Sequence, residues 1–296
     1  MLEIKNISKK YFDSLILEDI NIDIPQGQLT TLLGQNGAGK STLLRIIAGQ
    51  EFPNSGSVSY QEDDVHHLNF NRGNEMIFIN EIIEIFSELS VEQFVIASNG
   101  KFPKYNHDLF LKIMKSCKID VKKNYQEFSR GQRMQFLLAH AIACRPKVLL
   151  LDEITSVIDV YARKYFLDLL REYCDEGGSV IITTNIISEL EFYTDHLVII
   201  KDNKIALSGS GKEILNSFIK IRKTKDNLDH PIFKTPSCVW SNTNSDRSQS
   251  YIIPKSELNN EDLPSELLDR RQSSLEDIFI FYFNGLEKKA TDENAA

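Results

Sequence analysis

The sequence has few cysteines, the residues that cross-link small secreted proteins as disulfides and bind metal clusters. It holds four cysteines among 296 residues, and they lie far apart without a CxxC pair. That spacing argues against a disulfide framework and against a zinc site, so we expect reduced thiols and no zinc. The four positions are Cys117, Cys144, Cys174 and Cys238.

Long apolar runs are also missing. The longest are Val148–Leu151, Leu197–Ile200 and Ile278–Phe283, far below the roughly 20 residues that a membrane-spanning helix needs. The first twelve residues, MLEIKNISKKYF, lack the apolar core of a signal peptide. We therefore expect a cytoplasmic chain that does not cross a membrane by itself.

Excess positive charge is absent. The chain carries 34 Lys and Arg against 42 Asp and Glu, a net charge of -8. An acidic surface repels phosphate backbones, so we expect no nucleic-acid partner, and solubility accounts for the charge. Hydrophobic residues make up 42% and charged residues 26%, which are ordinary globular values and predict a buried core.

The hydrophobic pattern predicts an α/β fold. Residues 2–7 and 16–24 alternate apolar and polar positions, as strands with one buried face do. Leu29–Leu33, Val148–Leu151 and Val180–Thr184 are short apolar runs typical of buried parallel strands. Helical patterns separate these runs, so we expect a mostly parallel sheet.

A glycine-rich loop follows the run Leu29–Leu33 and precedes a helical pattern that ends near Gly49. It matches G-x-x-x-x-G-K-[ST], the loop whose backbone N–H groups surround phosphates. We expect Lys40 to reach the β- and γ-phosphates and the Ser41 hydroxyl to ligate Mg²⁺. The alternative is an ordinary glycine-rich turn, which the flanking strand and helix disfavour. The predicted nucleotide-binding residues are Gly34, Gln35, Asn36, Gly37, Ala38, Gly39, Lys40, Ser41 and Thr42.

Two carboxylates follow the buried run Val148–Leu151. We expect Asp152 to hold Mg²⁺ beside the phosphate loop and Glu153 to polarise the attacking water. Without the rest of the sequence, the simplest interpretation of this pair would be two solvated acids at the end of a strand. Because the pair lies downstream of a phosphate loop, the catalytic interpretation is favoured.

A third motif, Phe128-Ser129-Arg130-Gly131-Gln132, lies between the other two. Ser129 is a helix cap, and the N–H groups behind it form an anion site. The three motifs in this order resemble the ATP-binding cassette ATPases, over residues 1 to about 220. The resemblance implies that ATP binds between two cassettes paired head to tail, where Ser129, Gly131 and Gln132 face the partner's γ-phosphate.

The resemblance assigns four further positions. Tyr11 stands where that family stacks an aromatic ring on adenine, although a strand-end aromatic with no such role is the alternative. Asp159 resembles the aspartate of the loop that crosses the dimer interface. Glu81 replaces a glutamine that senses Mg²⁺ and water, and Asn185 replaces a histidine that binds the γ-phosphate. An amide cannot carry a positive charge, so slow hydrolysis is expected.

The resemblance, together with a shift in composition near residue 223, divides the chain. Residues 1–222 form the ATP-binding domain, with an antiparallel β subdomain and a helical insert at about 80–127 that contacts a separate transmembrane permease. Residues 223–286 form a C-terminal extension of unknown role, and 287–296 a flexible tail. Ser273–Phe279 resembles the closing motif of bacterial exporter cassettes.

Three functions remain open. The first is the ATPase subunit of a membrane transporter, an exporter by its closing motif, working on the cytoplasmic face as a homodimer or paired with a homologue. The second is a slow-hydrolysing, ATP-gated regulatory cassette, which Asn185 and Glu81 favour. The third is a soluble translation or repair cassette. The absence of a second cassette and of long coiled coils disfavours this third class.

Overall fold

A computed structural model describes residues 1–66, 75–80, 90–99, 102–246, 248–258, 263–269 and 271–284. Glu81 and the predicted tail at 287–296 lie outside the described residues. None of the helices in the described ranges has the length and apolar character needed to cross a bilayer.

The strands and helices of these residues are numbered in chain order. The strands are β1 (Leu2–Tyr11), β2 (Ser14–Ile24), β3 (Leu29–Gly34), β4 (Ser55–Tyr60), β5 (Asp63–Asp64), β6 (Met76–Asn80), β7 (Val148–Asp152), β8 (Ser179–Thr183), β9 (His196–Lys201), β10 (Lys204–Ser210), β11 (Phe218–Lys223), β12 (Val239–Thr243) and β13 (Gln249–Pro254). The helices are α1 (Lys40–Ile47), α2 (Val91–Asn99), α3 (His107–Ser116), α4 (Arg130–Cys144), α5 (Val160–Asp175), α6 (Ile187–Leu190), α7 (Gly211–Asn216) and α8 (Leu275–Asn284).

A six-stranded sheet lies at the centre, in the order β10-β9-β3-β8-β7-β6. β9, β3, β8, β7 and β6 are parallel to one another, and β10 joins β9 antiparallel through a hairpin. Asp202 and Asn203 both have positive φ, as a tight hairpin turn requires. Every residue of β3, β7 and β8 is buried, which is why their sequences are nearly continuous apolar runs.

Helices cover both faces of this sheet. Leu149 and Leu151 of β7 pack in the hydrophobic cluster that contains α4 and α5. Leu150, which points to the other face, packs in the cluster that contains α1. The alternation of side chains along one buried strand therefore supplies two cores. The predicted α/β class with a mostly parallel core sheet is confirmed.

A second sheet has the antiparallel order β2-β1-β4-β5. Its apolar residues Ile20, Ile22 and Ile24 are buried and share a cluster with α1. β1 ends at Tyr11, which this sheet carries to the phosphate loop. Between β6 and α4 the chain forms α2, α3 and a 3-10 helix at Tyr125–Glu127, within the range expected to be helical.

A third sheet has the order β11-β13-β12, and β12 and β13 belong to the extension. The polar, weakly periodic residues 224–250 did not reveal strand β12. Strand β12 shows no clear alternation of apolar and polar residues, because polar side chains occupy part of the interior of its sheet. Ser250 of the neighbouring β13 is fully buried, donates to Asp269 at 2.6 Å and accepts from Asn244 at 3.2 Å. β11 contains the expected boundary at 222/223 and pairs along its whole length with β13.

Candidate functional site

The glycine-rich loop joins the end of β3 to the start of α1. Gly37 and Gly39 have φ of 83° and 94°, which L-residues rarely adopt. At Gly39 a Cβ would lie 2.7 Å from Leu17 Cδ2 and 3.0 Å from the Ile16 carbonyl oxygen. A side chain there would collide with β2, so the close approach of this strand requires glycine.

Lys40 is the cation of this loop, and its side chain folds back over it. Only 4% of the residue is exposed, and Nζ donates to the carbonyl oxygens of Gly34 at 2.8 Å and Gln35 at 3.1 Å. Burial lowers the pKa of Lys40, and the negative charges of Glu153 and Asp152 act against that shift. The loop therefore holds one ammonium group between backbone carbonyls and two acids, placed to receive a phosphate.

A cavity of about 380 Å³ opens over the loop. That volume is in the range of roughly 300–1,000 Å³ typical of small-molecule sites. The lining comes from β1, β2, the loop, α1 and the residue after β7, and consists of Tyr11, Ile16, Asn36, Gly37, Gly39, Lys40, Ser41, Thr42 and Glu153. The fold thus brings residues far apart in sequence around one space, with phosphate-binding groups at its base.

The two predicted acids are held by the neighbouring strand β8. Asp152 is 8% exposed, and its Oδ1 accepts from the Thr183 hydroxyl at 2.7 Å. The Glu153 backbone N–H donates to the same hydroxyl oxygen at 3.0 Å. The backbone of Glu153 adopts the left-handed helical conformation, with φ of 53°. Thr183 was not predicted; the signal was its place at the end of the adjacent parallel strand, where it pairs with Asp152.

Two residues close to Lys40 suit a hard divalent cation. Ser41 supplies a hydroxyl beside Lys40, and Asp152 supplies a buried carboxylate close enough to act on the Lys40 charge. Hydroxyl, carboxylate and water oxygens are the ligands that Mg²⁺ prefers. This donor set fits Mg²⁺ bound together with a nucleotide phosphate. Glu81, the third predicted metal ligand, lies outside the described residues.

Tyr11, the residue predicted to stack on adenine, lines the cavity, with 37% of the residue exposed. Its hydroxyl bonds to Glu51, and Lys9 Nζ lies 5.2 Å from the ring centroid. Lys9 also pairs with Glu51 at 2.9 Å. Burial would raise the pKa of Glu51, but the bonds from Tyr11 and Lys9 outweigh it and lower the pKa. The ring is therefore fixed at the cavity edge by a charged network absent from the prediction.

The predicted signature lies at the start of α4. The Ser129 hydroxyl accepts from the Gln132 N–H at 3.2 Å, and the Gln132 side chain accepts from the Ser129 N–H at 3.0 Å. A Cβ on Gly131 would lie 3.0 Å from the Val157 carbonyl oxygen. Asp159 caps α5 by accepting from the Ala162 N–H at 3.0 Å. Each of these residues has a local structural role in this chain.

Several predicted residues do not line the cavity of their own chain, as far as the described residues show. Gly34, Gln35, Ala38 and Asp152 are close in sequence to residues that do, whereas Ser129, Gly131, Gln132 and Asp159 come from other parts of the chain. Asn185 likewise lies outside the lining. It is exposed between β8 and α6. The cavity therefore contains the phosphate loop, Tyr11 and Glu153, while the signature and Asn185 lie elsewhere on the surface.

The sequence and the fold both have known relatives. Residues 17–156 match the family model for ABC transporters. The chain is 33% identical over 218 residues, 71% of its length, to the sulfate/thiosulfate import ATP-binding protein CysA of Synechocystis sp.. It covers 61% of that relative and 62% of a CysA of Bacillus cereus. The chain thus spans about three fifths of the length of these curated relatives.

Solved structures share the fold. A dimeric ATP-binding cassette in a post-hydrolysis state with ADP and Pi has a TM-score of 0.62 and 21% identity, with 71% of this chain and 98% of that chain covered. The protein cbiO1 from Clostridium perfringens, part of the ABC transporter complex cbiONQ, has a TM-score of 0.58 and 26% identity, with 78% and 95% covered.

Proposed function

We propose that this chain, which belongs to the ABC transporter family of ATP-binding cassettes, binds ATP with Mg²⁺ and hydrolyses its γ-phosphate. One observation carries the proposal: a single cavity joins the phosphate loop with Lys40 to Glu153, the acid that follows β7. Lys40 and the backbone N–H groups bind the phosphates, and Ser41 and Asp152 hold Mg²⁺, which neutralises phosphate charge when bound.

Glu153 is the proposed general base. It lies in the cavity, half-buried, next to a strand end that Thr183 holds in place. A carboxylate there can accept a proton from a water that attacks the γ-phosphorus. Tyr11 is the proposed adenine platform, because its residue borders the same cavity as the phosphate loop.

We further propose that a second cassette completes the site. Ser129 and Gly131 begin α4 with an exposed N-terminus, but they do not line the cavity of their own chain among the described residues. A head-to-tail partner, either a second copy or a homologue, would bring these groups to the γ-phosphate. The dimeric cassette with ADP and Pi supports this arrangement by its fold.

The cellular role proposed is that of an ATPase subunit working with a separate transmembrane permease at the cytoplasmic face of a membrane. The names of the relatives support a transporter role, since both CysA proteins are import ATP-binding proteins and cbiO1 is part of a transporter complex. Those importers give no support to the export direction that the closing motif Ser273–Phe279 favours. Export stays a prediction that uptake and efflux assays in vesicles can check.

A slow, ATP-gated regulatory cassette is the second candidate. Asn185, in place of a histidine, is the observation that favours it. An exposed amide donates hydrogen bonds but gives the γ-phosphate no positive charge.

Steady-state ATPase assays with the permease present test the proposal. Glu153→Gln removes the proposed base and keeps the size of the side chain, so turnover should fall by about 100-fold or more. ATP should still bind the variant, because the phosphate loop is untouched. Equal turnover in wild type and Glu153→Gln would reject the base assignment. Binding without turnover in both proteins would favour the regulatory cassette.

A further inference from the structure

The segment that carries Asn185, residues 184–191, connects β8 to the loop before β9 and contains α6. We call it the switch segment. Its backbone begins with a turn in which the Ile186 N–H donates to the Thr184 hydroxyl at 2.9 Å. Its two acidic side chains, Glu189 and Glu191, reach in different directions, and each binds a different part of the molecule.

Glu189 binds the helix that follows Asp159. Arg163 of α5 donates to Glu189 through Nη1 and to the Ile158 carbonyl oxygen through Nη2 at 3.0 Å. The Arg163 side chain is 10% exposed, so water competes little with the ion pair. One side of the switch segment is therefore tied to the predicted interface loop.

Glu191 binds the C-terminal extension. Its Oε2 accepts from the Leu275 N–H, the first residue of α8, at 3.1 Å. Two other N–H groups at that helix end are capped locally: Ser274, which precedes α8, and Asp277 form a reciprocal pair of side-chain to backbone bonds. Burial raises the pKa of Glu191, and the bond from Leu275 acts against that shift. The hydrogen bond thus joins the switch segment to helix α8 through two residues that are 84 positions apart in the sequence.

Helix α8 is held in place by a buried ion pair and by buried apolar contacts. Asp277 forms an ion pair with Lys220 of β11 at 2.7 Å, and the two side chains are 4% and 6% exposed. Ile187 of the switch segment packs in one buried cluster with Leu275 and Ile278. The same cluster includes Leu33, the residue before Gly34. The extension therefore shares one buried cluster with the switch segment and with the strand that leads into the phosphate loop.

We propose that Glu191 is a positioning residue, through which helix α8 of the extension orients the switch segment and so sets the rate of the γ-phosphate step. The inference rests on the proposed ATPase function and gives the extension a part in it. Neither Glu191 nor α8 lines the cavity among the described residues, so the effect falls on turnover rather than on nucleotide affinity.

Three substitutions at Glu191 in the full chain, assayed for ATPase kinetics and ATP affinity, test this inference. Glu191→Ala removes the acceptor for the Leu275 N–H; kcat should fall about fivefold, while the ATP dissociation constant stays within about twofold. Glu191→Gln keeps an acceptor oxygen at the same reach and should restore most of the rate. Glu191→Asp shortens the reach by one carbon and carries the test should the alanine variant fold poorly.

Glu276→Ala is the matched control. Glu276 is an exposed acid in the first turn of the same helix, so its loss perturbs α8 without cutting its contact with the switch segment. The kcat and the ATP dissociation constant of Glu276→Ala should equal those of wild type. A kcat of wild-type size in both Glu191→Ala and Glu191→Asp would overturn the inference, as would an equal loss in Glu276→Ala.

A double variant checks that Glu191 acts through the switch residue. If it does, Asn185→Ala combined with Glu191→Ala should turn over no more slowly than Asn185→Ala alone. Fully additive losses would overturn the inference. Inactivity of wild type itself would instead reject the proposed ATPase function, so the two failures are distinguishable.

Discussion

The Thr183 hydroxyl donates to Asp152 Oδ1 at 2.7 Å, and its oxygen accepts from the Glu153 N–H at 3.0 Å. One side chain on β8 thereby orients both acids that follow β7. Thr183 is fully buried, so water cannot replace either bond. A buried polar group that loses its partner costs more than an exposed one, which makes this contact a sensitive point of the site.

Thr183→Val should weaken Mg²⁺-dependent turnover. Valine has the shape of threonine but cannot donate to Asp152, so the carboxylate loses the bond that orients it. We expect ATPase activity to fall by about tenfold, with a higher Mg²⁺ requirement, as loss of a hydrogen bond to a charged group predicts. Activity measured over a Mg²⁺ titration checks this.

Thr30→Val is the control for that substitution. Thr30 is also fully buried, in β3, and among the described residues its hydroxyl has no hydrogen-bond partner. The same change of chemistry should therefore leave the Mg²⁺ dependence unaltered and should not lower stability. Equal losses in the two variants would show that Thr183 acts through packing rather than through Asp152.

Tyr11→Ala should weaken ATP binding by about 1 kcal/mol, the value of one aromatic stack, which is roughly a fivefold rise in dissociation constant. Affinity for tripolyphosphate, which has no base, should not change. Tyr11→Phe keeps the ring and removes only the bond to Glu51, so its affinity should stay close to wild type. Equal weakening for ATP and tripolyphosphate would assign Tyr11 a structural role instead.

Asn185→His should raise turnover and leave the ATP dissociation constant within about twofold, because a histidine adds a group that can carry charge at the position proposed to act on the γ-phosphate. Asn185 is exposed, so the larger ring needs no repacking of the core. Isothermal titration and steady-state kinetics on the same preparations measure the two quantities. A large loss of binding would contradict the placement of Asn185.

The extension should lose stability in acid because of Asp269. Burial would raise its pKa, but hydrogen bonds from Arg271 and Ser250 outweigh burial and lower the pKa to about 2. A depressed pKa stabilises the fold above the unfolded value of 3.8, and the contribution disappears as pH falls from about 4 towards 2.

Asp269→Asn should therefore remove stability on the order of 1 kcal/mol at pH 6 and little at pH 2. Urea unfolding at a series of pH values, followed by the fluorescence of Trp240 in the extension, measures this. Asp229→Asn removes an exposed carboxylate of the same region and corrects for general charge effects. A difference between wild type and Asp269→Asn that persists at pH 2 would contradict the assigned cause.

Features that depend on neighbouring residues could be predicted from the amino-acid sequence. The run Leu29–Leu33, the glycines behind it and the helical pattern after Ser41 predict strand, loop and helix, because each signal lies within a few residues. The capping pair Ser129 and Gln132 is local in the same way. Apolar runs likewise predicted the buried strands, since a strand covered on both faces must be apolar throughout.

Contacts between distant residues, in contrast, follow from the packing of the folded chain. Thr183 and Asp152 are 31 residues apart, and their contact depends on the order of parallel strands. The bond between Glu191 and Leu275 depends on where the extension packs. Strand β12 left no clear pattern, because polar side chains fill part of its sheet. Such contacts depend on the packing of whole elements, and a local pattern of apolar and polar residues does not encode their partners.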